Sequence, residues 1–104
     1  MRPNRMTFTE IEQSADRVPN WLVESTPREA LYLEWKGSNF IETFALMTDV
    51  AALAEELNHH PEWFNVYSRL TIRLTTHDVG GLSELDFTMA ERIDILIKER
   101  TVAQ

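Results

Sequence analysis

Apolar positions fall at two spacings along this chain, and the exchange between them orders the elements. In TFTEIEQSADRV, Ile11, Ala15 and Val18 recur at helical spacing, with Thr9 and Glu12 reading as a capping box. Pro19 and Asn20 end that short helix. WLVE (21–24) and ALYLEW (30–35) then read as strands on either side of the turn-like STPRE. Leu31, Leu33 and Trp35 share one face of the second strand, with Tyr32, Glu34 and Lys36 on the other. KGSN breaks the alternation and offers Ser38 as the N-cap of the next helix. That helix, over 39–57, is the strongest in the sequence: long, free of Gly and Pro, and rich in Ala and Leu.

After His59, His60 and Pro61 the strand pattern returns. WFNVYSRLTIRLTT is rich in β-branched and aromatic residues and predicts two antiparallel strands turning near Ser68 and Arg69, one long bent strand being the alternative. Leu70, Ile72 and Leu74 share a face of its second half, and HDVGG is a loop. LSELDFTMAERIDILIKER closes the pattern as a helix. Ser83 is its N-cap, Asp86 its third residue, Leu82 and Phe87 its hydrophobic staple, and Phe87, Ala90, Ile93 and Ile97 its core stripe. The order α-β-β-α-β-β-α with short connections predicts an α+β fold. It is a four-stranded antiparallel sheet with three helices packed on one face, in a single domain over 1–104.

The 39–57 helix carries more apolar surface than its own sheet can use. Stepping ~100° per residue, Glu42, Asp49 and Glu56 gather in one narrow polar stripe. Phe40, Phe44, Met47 and Ala51 cover one side and Leu46, Val50, Leu53 and Leu57 another. A surplus of this kind marks an interface, so the sequence predicts a homo-oligomer, dimer at least, built through this helix.

Composition narrows the classes. The net charge of −7 opposes phosphate backbones and anionic membrane surfaces, which argues against nucleic acid and membrane as partners. With no cysteine, disulfides, thiolate catalysis and thiolate metal sites are excluded, and a cytoplasmic setting fits. No apolar run approaches the length of a membrane span, and the first residues carry no targeting pattern.

The candidate chemistry lies at the histidines. His59 and His60 follow the long helix and His77 follows the last strand, so all three stand beside turns that can aim them into one cleft. Solvation would explain any one of them. A metal site is a second reading, weakened because adjacent histidines on a helix diverge by ~100° and no cysteine assists. Acid–base chemistry is the third, and Glu55, one turn before His59 and within the apolar sector of its helix, favours it as a partly buried acid that orients or charges a histidine. Trp63 reads as core or as a stacking wall for a flat ligand. Asp86 has a sufficient explanation as a capping residue and is assigned no chemistry.

From Glu55 onward the sequence resembles the pterin-4a-carbinolamine dehydratases, whose vertebrate members double as a dimerisation cofactor of a homeodomain transcription factor. The resemblance rests on AEELNHHPEWFNVY, on LTTHDVGGLSELD and on the spacing between them, with Glu55, His59, His60, Pro61, Tyr67, His77 and Asp86 at the family's pattern positions. Trp21 and the start of the 39–57 helix fit as well, whereas Gly37 and Thr43 stand where the pattern leads one to expect an aromatic and a small apolar residue. The resemblance implies the same four-stranded fold and tetramers built by helix bundling and sheet-edge pairing. It implies a hydro-lyase that removes water from 4a-hydroxytetrahydropterin to give the quinonoid dihydropterin, within tetrahydrobiopterin recycling, using no metal and no cofactor besides its pterin substrate. His59, His60 and His77 would carry catalysis with Glu55 supporting proton transfer, without dividing acid from base among them. The pterin would be held by His59, His60, Pro61, Trp63, Thr76, His77, Asp78 and Val79. A non-catalytic or dual-function interaction module on the same fold, either a transcriptional cofactor or an assembly chaperone, is the alternative.

Overall fold

A computed structural model describes residues 3–103. The elements are α1 (Phe8–Ser14), a 3-10 turn (Ala15–Arg17), β1 (Leu22–Glu24), β2 (Ala30–Lys36), α2 (Phe40–Leu57), β3 (Glu62–Val66), β4 (Arg69–Leu74), a second 3-10 turn (His77–Val79) and α3 (Glu84–Ala103). The strands pair in the order β1-β2-β4-β3, each neighbour antiparallel, so the two strands with the clearest alternation lie in the middle. The β2–β4 register sets Leu31 opposite Leu74, Leu33 opposite Ile72 and Trp35 opposite Leu70. These side chains form the floor of the core, and Leu31, Leu70, Ile72 and Leu74 have no exposed surface. Leu46, Val50 and Leu53 from α2, Phe87, Met89 and Ile93 from α3 and Ile11 from α1 cover it. At about 1.5–3 kcal/mol per large apolar side chain removed from water, this one layer is the main source of stability.

Helix starts differ from expectation in two of three cases. The capping box of α1 is Thr7 with Glu10 rather than Thr9 with Glu12: Thr7 Oγ1 accepts from the Glu10 N–H at 3.1 Å, and the Glu10 carboxylate accepts from the Thr7 N–H at 2.8 Å. The chain enters that cap held by Met6, whose N–H donates to the Leu82 carbonyl at 2.8 Å, and this tertiary bond fixes where the helix can begin. The cap of α2 is Asn39 rather than Ser38, with Oδ1 accepting from the Glu42 N–H at 2.9 Å. Thr43 points fully inward, where its hydroxyl donates to the Asn39 carbonyl at 2.8 Å. There Thr43 meets Gly37: a Cβ on that glycine would lie 2.6 Å from Thr43 Oγ1 and 2.9 Å from the Trp35 ring. The two departures from the family pattern are therefore one packing solution, a missing side chain making room for a polar one.

The hairpin between β3 and β4 turns at Tyr67 and Ser68, one residue before the expected place. Tyr67 takes a left-handed conformation, φ 52°, steadied by Asn65, whose side-chain amide donates to the carbonyls of Tyr67 (3.1 Å) and Arg69 (2.9 Å).

The acidic stripe of α2 is turned to α3. Arg92 binds Glu56 at 2.8 Å, and Arg100 binds Asp49 and approaches Glu42 at 3.9 Å. With its polar stripe engaged there, α2 leaves Phe40, Ile41 and Phe44 at 42%, 73% and 53% exposure. The surplus apolar face read from the sequence is thus wet in the single chain. Among the described residues no helix is long and apolar enough to cross a membrane.

Candidate active site

The end of α2 buries the first of its two histidines and leaves the second exposed. Asn58 closes the helix in a left-handed conformation, φ 50°, which asparagine tolerates better than most residues. The next N–H, that of His59, reaches back to the Ala54 carbonyl at 3.0 Å. This reversal sends His59 into the molecule, where it is 8% exposed, and leaves His60 outside. Pro61 follows and cannot extend the helix.

His59 ends on a carboxylate with no exposed surface. Its Nε2 lies 2.6 Å from Asp86 Oδ1. Asp86 Oδ2 accepts from the Thr76 hydroxyl at 2.8 Å and from the Ser83 N–H at 3.0 Å. Since the Thr76 proton is committed to Asp86, the 2.7 Å contact between Thr76 and Ser83 is a bond donated by the Ser83 hydroxyl. Ser83 Oγ in turn accepts from the Leu85 N–H at 3.3 Å. Every partner of Asp86 is a donor, so His59 must offer N–H from Nε2, which leaves Nδ1 as its remaining ring nitrogen. The Ser83–Asp86 cap read from the sequence is present. Reading Asp86 as a cap alone is corrected: the same carboxylate orients His59.

The other two histidines repeat the motif at the surface. His60 Nε2 lies 2.6 Å from Glu55 Oε2. Glu55 was expected to be partly buried, yet its side chain is 80% exposed; it shares the outward sector of α2 with Ile41 and Phe44, which the sheet does not cover. Its pairing with a histidine stands, and the histidine is His60. His77 opens the second 3-10 turn, which closes on itself through the Val79 N–H to the Thr76 carbonyl (3.1 Å) and through Gly80 at φ 73°, a conformation natural only to glycine. His77 Nε2 lies 3.1 Å from Glu62 Oε2. Sequence reasoning gave no role to Glu62, because nothing local says that the first residue of β3 will face the turn after β4; only the β3–β4 pairing brings them together.

His59, His60 and His77 share one open cavity of about 210 Å³ with Pro3, Asn58, Thr75, Thr76, Asp78 and Leu85. Five of the expected residues, His59, His60, Thr76, His77 and Asp78, thus line it together. Glu55 stands behind His60, while Pro61 and Val79 are half-buried beside the lining. Trp63 packs against the core from the helix-facing side of β3, opposite Ile72, which is the bland reading of that residue. Among the described residues no cluster of three or more His, Cys, Asp or Glu is arranged to hold a metal ion. Glu84, bound to Arg17, is held below the usual carboxylate range, and Asp94 is pushed up by burial, only partly offset by the Trp21 indole N–H at 2.8 Å.

Residues 4–96 match the family model described as pterin 4 alpha carbinolamine dehydratase. A protein of Prochlorococcus marinus (strain MIT 9313), named "Putative pterin-4-alpha-carbinolamine dehydratase", is 45% identical over 96 residues, covering 92% of this chain and 97% of its own length. One of the same name from Synechococcus sp. (strain WH7803) is 49% identical over 88 residues, covering 85% and 91%. Among solved structures, a transcriptional coactivator/pterin dehydratase of Brucella melitensis superposes with TM-score 0.85 at 36% identity, covering 89% of this chain and 98% of that one. A pterin dehydratase-like protein identified as a RuBisCO assembly factor in the alpha-carboxysome superposes with TM-score 0.63 at 26% identity, covering 74% and 88%.

Proposed function

The chain belongs to the pterin 4 alpha carbinolamine dehydratase family, and on that premise we propose that it dehydrates 4a-hydroxytetrahydropterin to the quinonoid dihydropterin by histidine acid–base catalysis. In this reaction the C4a–O bond breaks, the hydroxyl takes a proton and leaves as water, and the neighbouring ring nitrogen gives up a proton. The steps ask for a donor and an acceptor on two sides of a flat ring, worth ~10²–10⁴-fold when positioned. They ask for no metal or redox cofactor. The observation that carries the reading is the convergence of three histidines on one cavity, each with Nε2 engaged by a carboxylate. His59, His60 and His77 are the catalytic candidates, Glu55 supports His60, and 59–61 with 76–79 form the pterin contacts. Purified protein should speed the loss of 4a-carbinolamine absorbance with chelator present. Loss of activity on chelation and its recovery with zinc would overturn the mechanism.

A second reading is favoured by the uncovered side of α2 and by the names of the two structural relatives, one a coactivator and one an assembly factor. On this reading the chain acts, also or instead, as a protein-interaction module. A homo-oligomer through Phe40, Ile41 and Phe44 belongs to both readings, in the cytoplasm, because so much apolar surface in water is costly. Light scattering at micromolar concentration should give a multiple of 12.1 kDa; a clean monomer would refute the interface.

A further inference from the structure

We propose that Glu62 is the positioning residue of His77, standing to it as Asp86 stands to His59 and Glu55 to His60. The proposal rests on the dehydratase reading of the site. Glu62 Oε2 lies 3.1 Å from His77 Nε2 and 3.5 Å from Arg28 Nη2. Arg28 comes from the β1–β2 connection, and Arg73, from β4, is the cross-strand partner of Glu62 and feels its charge. The carboxylate thus has the Arg28 guanidinium within ion-pair distance while it faces the histidine. A carboxylate can only accept, so a hydrogen bond closed across this 3.1 Å ion-pair contact places the proton on His77 Nε2 and leaves Nδ1 as the nitrogen that exchanges protons.

Two features set this contact apart from a decorative surface pair. First, all three histidines present the same nitrogen to a carboxylate, although the carboxylates come from α3, α2 and β3. Second, the two side chains are 60% and 40% exposed, and pairs of that kind contribute little to folding. The consequence of the contact is geometric. His77 sits on a short turn with its side chain largely in water, and Glu62 lies within ion-pair reach of its ring.

The test compares Glu62→Gln, Glu62→Asp and His77→Asn, alone and combined, in the full-length protein. Glu62→Gln should lower kcat by roughly 3- to 10-fold with KM within about 2-fold, since the oriented proton acceptor is needed in the transition state more than in binding. Glu62→Asp should recover part of the loss. In the His77→Asn background Glu62→Gln should have no further effect on kcat; a full additional loss there overturns the proposal, as does wild-type kcat in Glu62→Gln. A second readout needs no turnover. In 15N-labelled protein the His77 ring should show Nε2 as the protonated nitrogen, and Glu62→Gln, whose amide both donates and accepts, should move both ring signals toward a mixture of tautomers. Unmoved ring signals sink the pairing. A moved pair of signals in a protein that fails to dehydrate the pterin keeps the positioning and discards the reaction.

Discussion

His59 and His77 border the same cavity from opposite settings. His59 is bound to a carboxylate with no solvent contact, inside a network of Thr76, Ser83 and Asp86 whose every donor is spent. His77 meets Glu62 where both are substantially exposed. In the first case orientation and fold are inseparable, because breaking one bond strands buried polar groups. In the second the pair can be rearranged at little cost to the fold. The site therefore combines one histidine fixed by the core with two trimmed at the surface.

Breaking the buried member should have the largest effect. Asp86→Ala should reduce stability by about 3 kcal/mol, since it removes a helix cap and leaves His59, Thr76 and the Ser83 N–H without their acceptor. It should also lower turnover sharply in the fraction that remains folded. Urea titration beside the carbinolamine assay separates the two losses; near-normal turnover would show that the carboxylate serves the helix alone. The histidines themselves come next. His59→Ala and His77→Ala should each slow the catalysed rate by at least ~10-fold. Only His59→Ala should lower the urea midpoint appreciably, and equal midpoints would erase the distinction between the settings.

Smaller effects probe the exposed side. Glu55→Gln should cost only a few-fold in rate and leave stability within about 0.5 kcal/mol, as usual for an exposed pair. If so, raising ionic strength should weaken the contributions of Glu55 and Glu62 and spare that of Asp86, because screening reaches exposed charges and not buried ones. The smallest effect comes from an exposed pair outside the site. Arg17 holds Glu84 below its ordinary value of 4.5, so their attraction is present above that pH and is lost as pH falls through the depressed folded-state value. Glu84→Gln should flatten the acid limb of the stability profile there and leave the rate unchanged.

The legible parts of this chain are those whose signal is local. Leu31 and Leu33, then Leu70, Ile72 and Leu74, alternate because one face of a strand must be dry, and those same residues are buried. Phe87, Ala90 and Ile93 recur at helical spacing and are buried likewise. The Ser83–Asp86 cap could be read from four consecutive residues. The cap of α1 is Thr7, beside the bond from Met6 to the distant Leu82, and the cap of α2 is Asn39, where Thr43 packs against Gly37. The first contact spans the chain, and the second is a matter of packing that no pattern of apolar positions reports.

Of the site, the sequence by itself determined which side chains were available and where they cluster along the chain. Three histidines beside turns, a glutamate one turn earlier and a motif spacing are properties of the string. Tertiary structure alone decided which carboxylate each histidine would have. Asp86 is 27 positions from His59, and Glu62 reaches His77 only because β3 and β4 pair. Periodicity reports burial, which depends on each residue's own polarity. Partnership depends on which surfaces meet when the sheet and helices close on one core, and only the folded chain contains that information.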